Sequence, residues 1–252
     1  VNGVPHGALV GVVPAGATSV LGRQLGLPHR PLAAAAALAA AIAEGRALPM
    51  GLGEVDGRLF TFSAGLGLEA EAMRLVEERR RRRPDGRRPG DLAVVATAIS
   101  VLRADGFSLP ERMTVRVDGA EARAGYVAIA NGHPYTYLGR IPVRTAPRAG
   151  FDTALDAVAV GQLRPRDLWR FAVYGLVWPR HASGRDARVR YLHDVAALEV
   201  VCDEPVALQV DGEYLGRVER VTVGYRPAAV RMLMPPFAAA SFPAREPAAE
   251  GR

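Results

Sequence analysis

Leu208-Gln209-Val210-Asp211-Gly212-Glu213, near the end of the chain, is the stretch on which the fold turns. Val206, Leu208 and Val210 alternate with Ala207 and Gln209, the period-2 pattern of a strand with one apolar face. The strand runs into Asp-Gly, a pair favoured in two-residue hairpin turns. A second alternating run follows over residues 218–223. Asp211 and Glu213 therefore share a hairpin tip, where a rigidly held carboxylate can accept a hydroxyl proton. A solvated turn would carry the same residues, so both readings stay open.

Upstream, the same grammar repeats. Runs at 50–55 and 58–62 flank Asp56-Gly57, and runs at 113–117 and 123–130 flank Asp118-Gly119. Further strands are expected at 154–160, 188–192, 197–201 and 230–234. Tight turns join most of them, so the sheets should be antiparallel and packed as a sandwich. Helices are expected at 68–83, 91–103 and 166–177, the second apolar on most faces and so expected to be buried. The chain opens differently. An apolar run at 9–13, read as a buried strand, ends in Pro14-Ala15-Gly16-Ala17-Thr18-Ser19 before a helix over 20–25. Such a junction serves either as an anion site or as an ordinary capped connection. Pro31 sits at the first position of an alanine-rich helix over 32–44 that Gly45 closes. The fold class is α/β plus mainly-β, a short α/β piece followed by a β-rich body with inserted helices. The Pro- and Ala-rich tail should be disordered.

Composition narrows the function. With 49% hydrophobic and 23% charged residues over 252 positions, most of the chain can bury a core. The excess of 32 basic over 26 acidic residues suits an anionic partner: phosphate, an acidic membrane surface or nucleic acid. At 6% aromatics there are few stacking platforms, which argues against nucleic acid. The single cysteine, Cys202, lies in an apolar run and excludes disulfide scaffolds and Cys-based metal sites. The five histidines show no metal-ligand spacing. No run is long enough to span a bilayer, and the start lacks the pattern of a signal peptide. Arg79–Arg83 with Arg87 and Arg88 reads as a solvated loop or a contact for acidic lipid head groups.

Five segments, in order, resemble the bacterial diacylglycerol kinase catalytic family. Pro14-Ala15-Gly16-Ala17-Thr18-Ser19-Val20-Leu21-Gly22-Arg23-Gln24-Leu25-Gly26-Leu27-Pro28 is similar to that family's Pro-x-Gly-Thr-x-Asn-Asp-Phe-Ala-Arg-x-Leu-Gly-x-Pro. Gly65-Leu66-Gly67-Leu68-Glu69-Ala70 resembles its Gly-x-Gly-x-x-Ala, and the run at 127–131 its strand ending in asparagine. Phe151-Asp152-Thr153-Ala154-Leu155-Asp156 resembles Asp-Gly-x-Leu-Asp, and Asp211-Gly212-Glu213 matches the Asp-Gly-Glu near the family's C-terminus. The likeness spans roughly residues 1 to 235.

The resemblance implies a kinase that moves a phosphoryl group from ATP, with Mg²⁺, to a diacylglycerol-like or long-chain lipid alcohol. Residues 1–48 would be the last part of a nucleotide-binding α/β domain, 49–235 an antiparallel β-sandwich with inserted helices, and 236–252 a tail. The family's phosphate-cradling Gly-Gly-Asp-Gly-Thr lies upstream of the position of Asn2-Gly3, so the chain is read as a fragment that is inactive alone. By the same resemblance Asp211 or Glu213 is the catalytic base, and Pro14, Gly16, Ala17, Thr18 and Ser19 line the nucleotide pocket. Asp152, with the carbonyls of Ala149 and Ala154, holds a structural Mg²⁺, a hard ion that wants oxygen ligands; a plain turn aspartate is the other reading. The implied partners are a lipid substrate and an acidic membrane surface met peripherally from the cytoplasm, without nucleic acid; a homodimer is compatible. Ala17, Ser19 and Val20 stand where the family has Thr, Asn and Asp, and Thr153 where it has Gly. These departures motivate the alternative, a catalytically degenerate relative that binds lipid or membrane.

Overall fold

A computed structural model describes residues 1–16, 18–82, 91–167 and 188–235. The expected helix at 166–177 and the tail at 236–252 lie outside the described residues, apart from the helix's first two positions. In chain order the elements are β1 (Ala8–Val10), α1 (Val20–Gln24), α2 (Pro31–Ala43), β2 (Ala47–Val55), β3 (Arg58–Phe60) and β4 (Ser63–Gly67). Next come α3 (Leu68–Arg81), α4 (Asp91–Ala104), β5 (Met113–Val117), β6 (Ala120–Ala124), β7 (Tyr126–Ala130), β8 (Thr136–Leu138) and β9 (Ile141–Val143). The described chain closes with β10 (Leu155–Val160), β11 (Val189–Val195), β12 (Ala197–Val210) and β13 (Glu213–Leu233).

Among the described residues eleven strands form one sheet along the path β11-β10-β7-β4-β12-β13-β2-β3, with β5, β6 and β1 branching from it. Of the strands in the described residues only β1 pairs in parallel, with the far end of β13. The three Asp-Gly hairpins form as expected. In each the aspartate and glycine both take positive φ, 46° and 86° at Asp56-Gly57 and 49° and 73° at Asp211-Gly212, the signature of a type I′ turn.

Two expected strands, at 197–201 and 206–210, are one. β12 pairs with β5 over Glu199–Cys202 and with β4 over Leu208–Val210, its register slipping around Pro205, which has no N–H to give a ladder. The runs at 218–223 and 230–234 likewise belong to the 21-residue β13, which bulges between Arg226 and Val230. Conversely, 123–130 is two strands. They part at Gly125, where the chain passes so close to Leu109 and Pro110 that a Cβ would run into the Pro110 carbonyl oxygen and lie 2.9 Å from Leu109 Cγ. Strands that bend and change neighbours wrap the sheet around a core of Leu66, Ile129, Leu155, Val200, Leu208 and Val223, each from the inward set of an alternating strand.

A second core joins Leu25, Leu27 and Leu38 to Met50, Leu52, Phe151 and Met232, so α1 and α2 sit on the ends of β2 and β13. The boundary expected after residue 48 falls inside β2. Two expectations about burial fail. β1 stops at Val10 as a marginal strand with Leu9 exposed, because its single pairing partner leaves its other edge open. α4 is not buried: α3 packs on β4, β12 and β13, and α4 packs on α3, which leaves Ile99 51% exposed.

Candidate functional site

Asp211 holds the first left-handed turn position, which aspartate tolerates better than most residues. Its backbone N–H donates to the Ser63 carbonyl at 2.8 Å. Its carboxylate reaches the connection between β3 and β4. One oxygen accepts from the Thr61 N–H at 2.8 Å and the Thr61 hydroxyl at 2.9 Å; the other accepts from the Phe62 and Ser63 N–H groups at 2.9 and 3.2 Å. Four donors fill a carboxylate's accepting capacity. Asp211 therefore acts as a pin, fixing the hairpin tip to the neighbouring turn. Glu213, one residue past Gly212, faces solvent and meets the Arg58 guanidinium at 2.6 Å. Of the two expected bases, Glu213 is the one with an approachable carboxylate.

The pin rests on Asn131, which is fully buried. Its Nδ2 donates to the carbonyls of Gly51 and Thr61, both at 2.9 Å, while its Oδ1 has no partner among the described residues. Asn2 borders the site on the other side. Its amide both donates to the Leu59 carbonyl (2.9 Å) and accepts from the Leu59 N–H (2.6 Å), occupying the free edge of β3. Beneath the turn, Gln209 accepts from the Gly212 N–H at 2.8 Å. A buried cluster continues inward: Tyr135 and Tyr126 donate to Glu69 at 2.7 and 3.0 Å. Burial pushes the Glu69 carboxyl above the usual carboxylate range, and the two tyrosine hydroxyls pull it back in part. Burial, with Glu69 alongside, pushes both tyrosines well above theirs.

The loop expected to line a nucleotide pocket has Pro14 buried and Ser19 at φ 45°, with the Ser19 hydroxyl donating to the Gly16 carbonyl at 2.8 Å. Ala17 lies outside the described residues, and Thr18 is held by contacts of its own. The five-residue α1 has no side-chain cap. It links to the site indirectly: Gln24 donates to the Pro134 carbonyl at 2.7 Å, three residues beyond Asn131.

Asp152, expected at a metal, is exposed. The Ala154 carbonyl accepts from the Thr153 hydroxyl at 3.2 Å, the Ala154 N–H donates to Asp194 at 2.7 Å, and Ala149 is buried. Among the described residues no three His, Cys, Asp or Glu side chains converge. Asp152 supplies one exposed carboxylate here, and a Mg²⁺ held by one or two carboxylates completes its octahedral shell with water. The neighbouring Asp156 is instead fully buried and accepts from His193 at 2.7 Å and from the Tyr191 hydroxyl.

Residues missed in the sequence are Arg58, Thr61, Asn2, Gln209 and Tyr135. Their partners lie tens of residues away or more in most cases, and only register brings them together. At the far end of β4 a cavity of about 380 Å³ opens between α3, α4 and the sheet, floored by Leu68, Leu75, Val101, Leu102 and Met113 and rimmed by Arg217. Ser63 touches Asp211 and Gly67 lines this cavity, a separation of roughly 13 Å along the strand.

No family model matches the chain, and no curated protein resembles it in sequence. Solved structures do resemble it. A putative diacylglycerol kinase from Bacillus anthracis str. Sterne aligns at TM-score 0.62 and 20% identity over 90% of this chain and 69% of its own. A structure described as diacylglycerol kinases from the same strain aligns at 0.59 and 18%, over 90% and 68%. A third, also a putative diacylglycerol kinase, aligns at 0.59 and 20%, over 90% and 67%. The chain has the fold of these bacterial diacylglycerol kinase structures, an antiparallel β-sandwich joined to α/β elements.

Proposed function

We propose that the chain is the acceptor side of an ATP-dependent lipid kinase, acting on the hydroxyl of a diacylglycerol-like or long-chain lipid alcohol. The observation that carries this reading is the division of labour at the hairpin tip. Asp211 is saturated by the Thr61–Ser63 turn, which leaves Glu213 beside Arg58 at a rigid, accessible position. In phosphoryl transfer the protein mainly orients the nucleophile and offsets charge. Glu213 takes the hydroxyl proton as the oxygen attacks the γ-phosphorus of ATP, the bond to the β,γ-bridging oxygen breaks and ADP leaves, and Arg58 offsets the charge of the phosphoryl group in transit. The cavity at the other end of β4 suits an acyl chain whose head group lies at Glu213. The expected site for a structural Mg²⁺ at Asp152 takes no part in these steps.

The test is transfer of label from ATP to diacylglycerol in mixed micelles by the full-length protein that carries this chain. Labelled phosphatidic acid is expected, and Glu213→Gln should slow its formation about a hundredfold or more. Retention of full activity by Glu213→Gln would remove Glu213 from the role. A second reading, a binder without catalysis, draws on the loop at Ser19, whose hydroxyl is turned onto its own loop carbonyl. It predicts no labelled lipid from a folded protein.

A further inference from the structure

The charges of the chain are segregated. On the sandwich, Arg74, Arg112, Arg116, Arg123, Arg217 and Arg220 each pair with Asp or Glu. Residues 1–43 and 122–151, by contrast, contain no Asp or Glu at all. The fold brings these two carboxylate-free segments together: Arg23 of α1 lies 3.4 Å over the Tyr137 ring and donates to the Gly139 carbonyl at 2.8 Å. It thereby staples α1 to the β8–β9 ribbon, a two-stranded sheet outside the main one. Beyond the staple stand Arg140, Arg144 and Arg148, none of which pairs with a carboxylate among the described residues. Asp152 is the next acid in the chain, and Asp156 behind it is buried. Ile141, paired with Leu138 beside the Gly139-Arg140 turn at the ribbon's tip, is 54% exposed, and Arg144 follows the ribbon's base, where Thr136 pairs with Val143.

We propose that the β8–β9 ribbon is a docking surface for an anionic bilayer, with Ile141 entering the interface and Arg140, Arg144 and Arg148 meeting lipid phosphates. A ribbon with an exposed isoleucine and Arg140 at its tip, and two further arginines without carboxylate partners following its base, has the composition of an interfacial anchor. A free nucleotide would use the arginines but would leave the exposed isoleucine without a role. The ribbon follows directly from the loop that begins at Asn131, which supports Thr61 and through it Asp211. The proposal names the partner of the lipid kinase read above, yet vesicle binding needs no catalysis, so either can fail alone.

Cosedimentation with vesicles decides it, using phosphatidylcholine alone or with about a third phosphatidylglycerol. The chain is expected to bind the anionic vesicles, to ignore the neutral ones, and to be released as salt shortens the Debye length. Each arginine near such a surface contributes about fivefold, so joint Arg140→Ala, Arg144→Ala and Arg148→Ala should weaken binding about a hundredfold. Ile141→Ser should weaken it a few-fold, with circular dichroism unchanged in both variants. Arg79→Ala, Arg80→Ala and Arg81→Ala together, on α3, should leave binding intact. The proposal is overturned if the ribbon variant binds like the wild type, if the α3 variant alone loses binding, or if neutral vesicles bind equally. It is also overturned if the ribbon variant keeps its vesicles but loses ATP affinity by calorimetry, which would assign the face to free phosphate. A dye at Ile141→Cys gives an independent readout, since the one native cysteine, Cys202, is buried. The dye should shift to the blue on anionic vesicles.

Discussion

Replacing Asp211 by Asn keeps a side chain that tolerates the left-handed turn while changing what it offers the Thr61–Ser63 donors. The new amide N–H₂ faces backbone N–H groups and cannot accept from them. Bonds to a charged acceptor are worth more than neutral ones, so Asp211→Asn is expected to cost about 2–4 kcal/mol in urea denaturation. Glu213→Gln breaks only an exposed ion pair and should change stability by less than about 0.5 kcal/mol. If both changes are equally costly, Asp211 is not the pin. The pair is a case where sequence and structure speak differently. Two carboxylates at a hairpin tip were legible as candidates, because a type I′ turn announces itself through Asp-Gly. Which of them is already engaged was not, because its donors come from a turn about 150 residues earlier.

At the scale of elements, β4, α3, β7 and the loop before β8 meet at Glu69. Its carboxyl lies above the ordinary value of 4.5, so the folded state binds this proton more readily than the unfolded chain. Stability from the protonated form is fully present below pH 4.5 and is lost as pH rises through the raised value. The difference between wild type and Glu69→Gln should therefore move in favour of the variant as pH rises from 4.5, measured by urea midpoints. A difference moving the other way would mean that the two tyrosine hydroxyls outweigh burial. The break between β6 and β7 gives a simpler prediction. Gly125→Ala forces a methyl against Leu109 and Pro110 and should cost about 1–3 kcal/mol, read from thermal denaturation. Helix starts, turns and the inward alternation of strands were legible because each is set by residues within a few positions. Strand lengths were not. β12 and β13 continue through apparent gaps because neighbouring strands hold them, and α4 is exposed despite its apolar sequence because α3 occupies the place against the sheet.

For the whole molecule, the question is whether the first 48 residues fold as a separate unit from the sandwich. β13 answers it physically. Its first half pairs with β12 beside the main core, its second half with β2, and its end also with β1 in the second core. The 21-residue strand belongs to both cores, and the two ladders overlap at Val223 and Gly224, which pair with β12 on one side and β2 on the other. Leu25 and Ile129 are each fully buried, one in each core, and truncating either to Ala should cost about 2–5 kcal/mol. Coupled through β13, both variants should shift one cooperative transition, with far-UV circular dichroism and tyrosine fluorescence coinciding. If the cores were independent, Leu25→Ala would instead produce an early step that leaves most of the sheet signal in place. One coincident transition in both variants is the outcome expected, since the strand that carries Glu213 at one end is the strand on which α1 and α2 rest at the other.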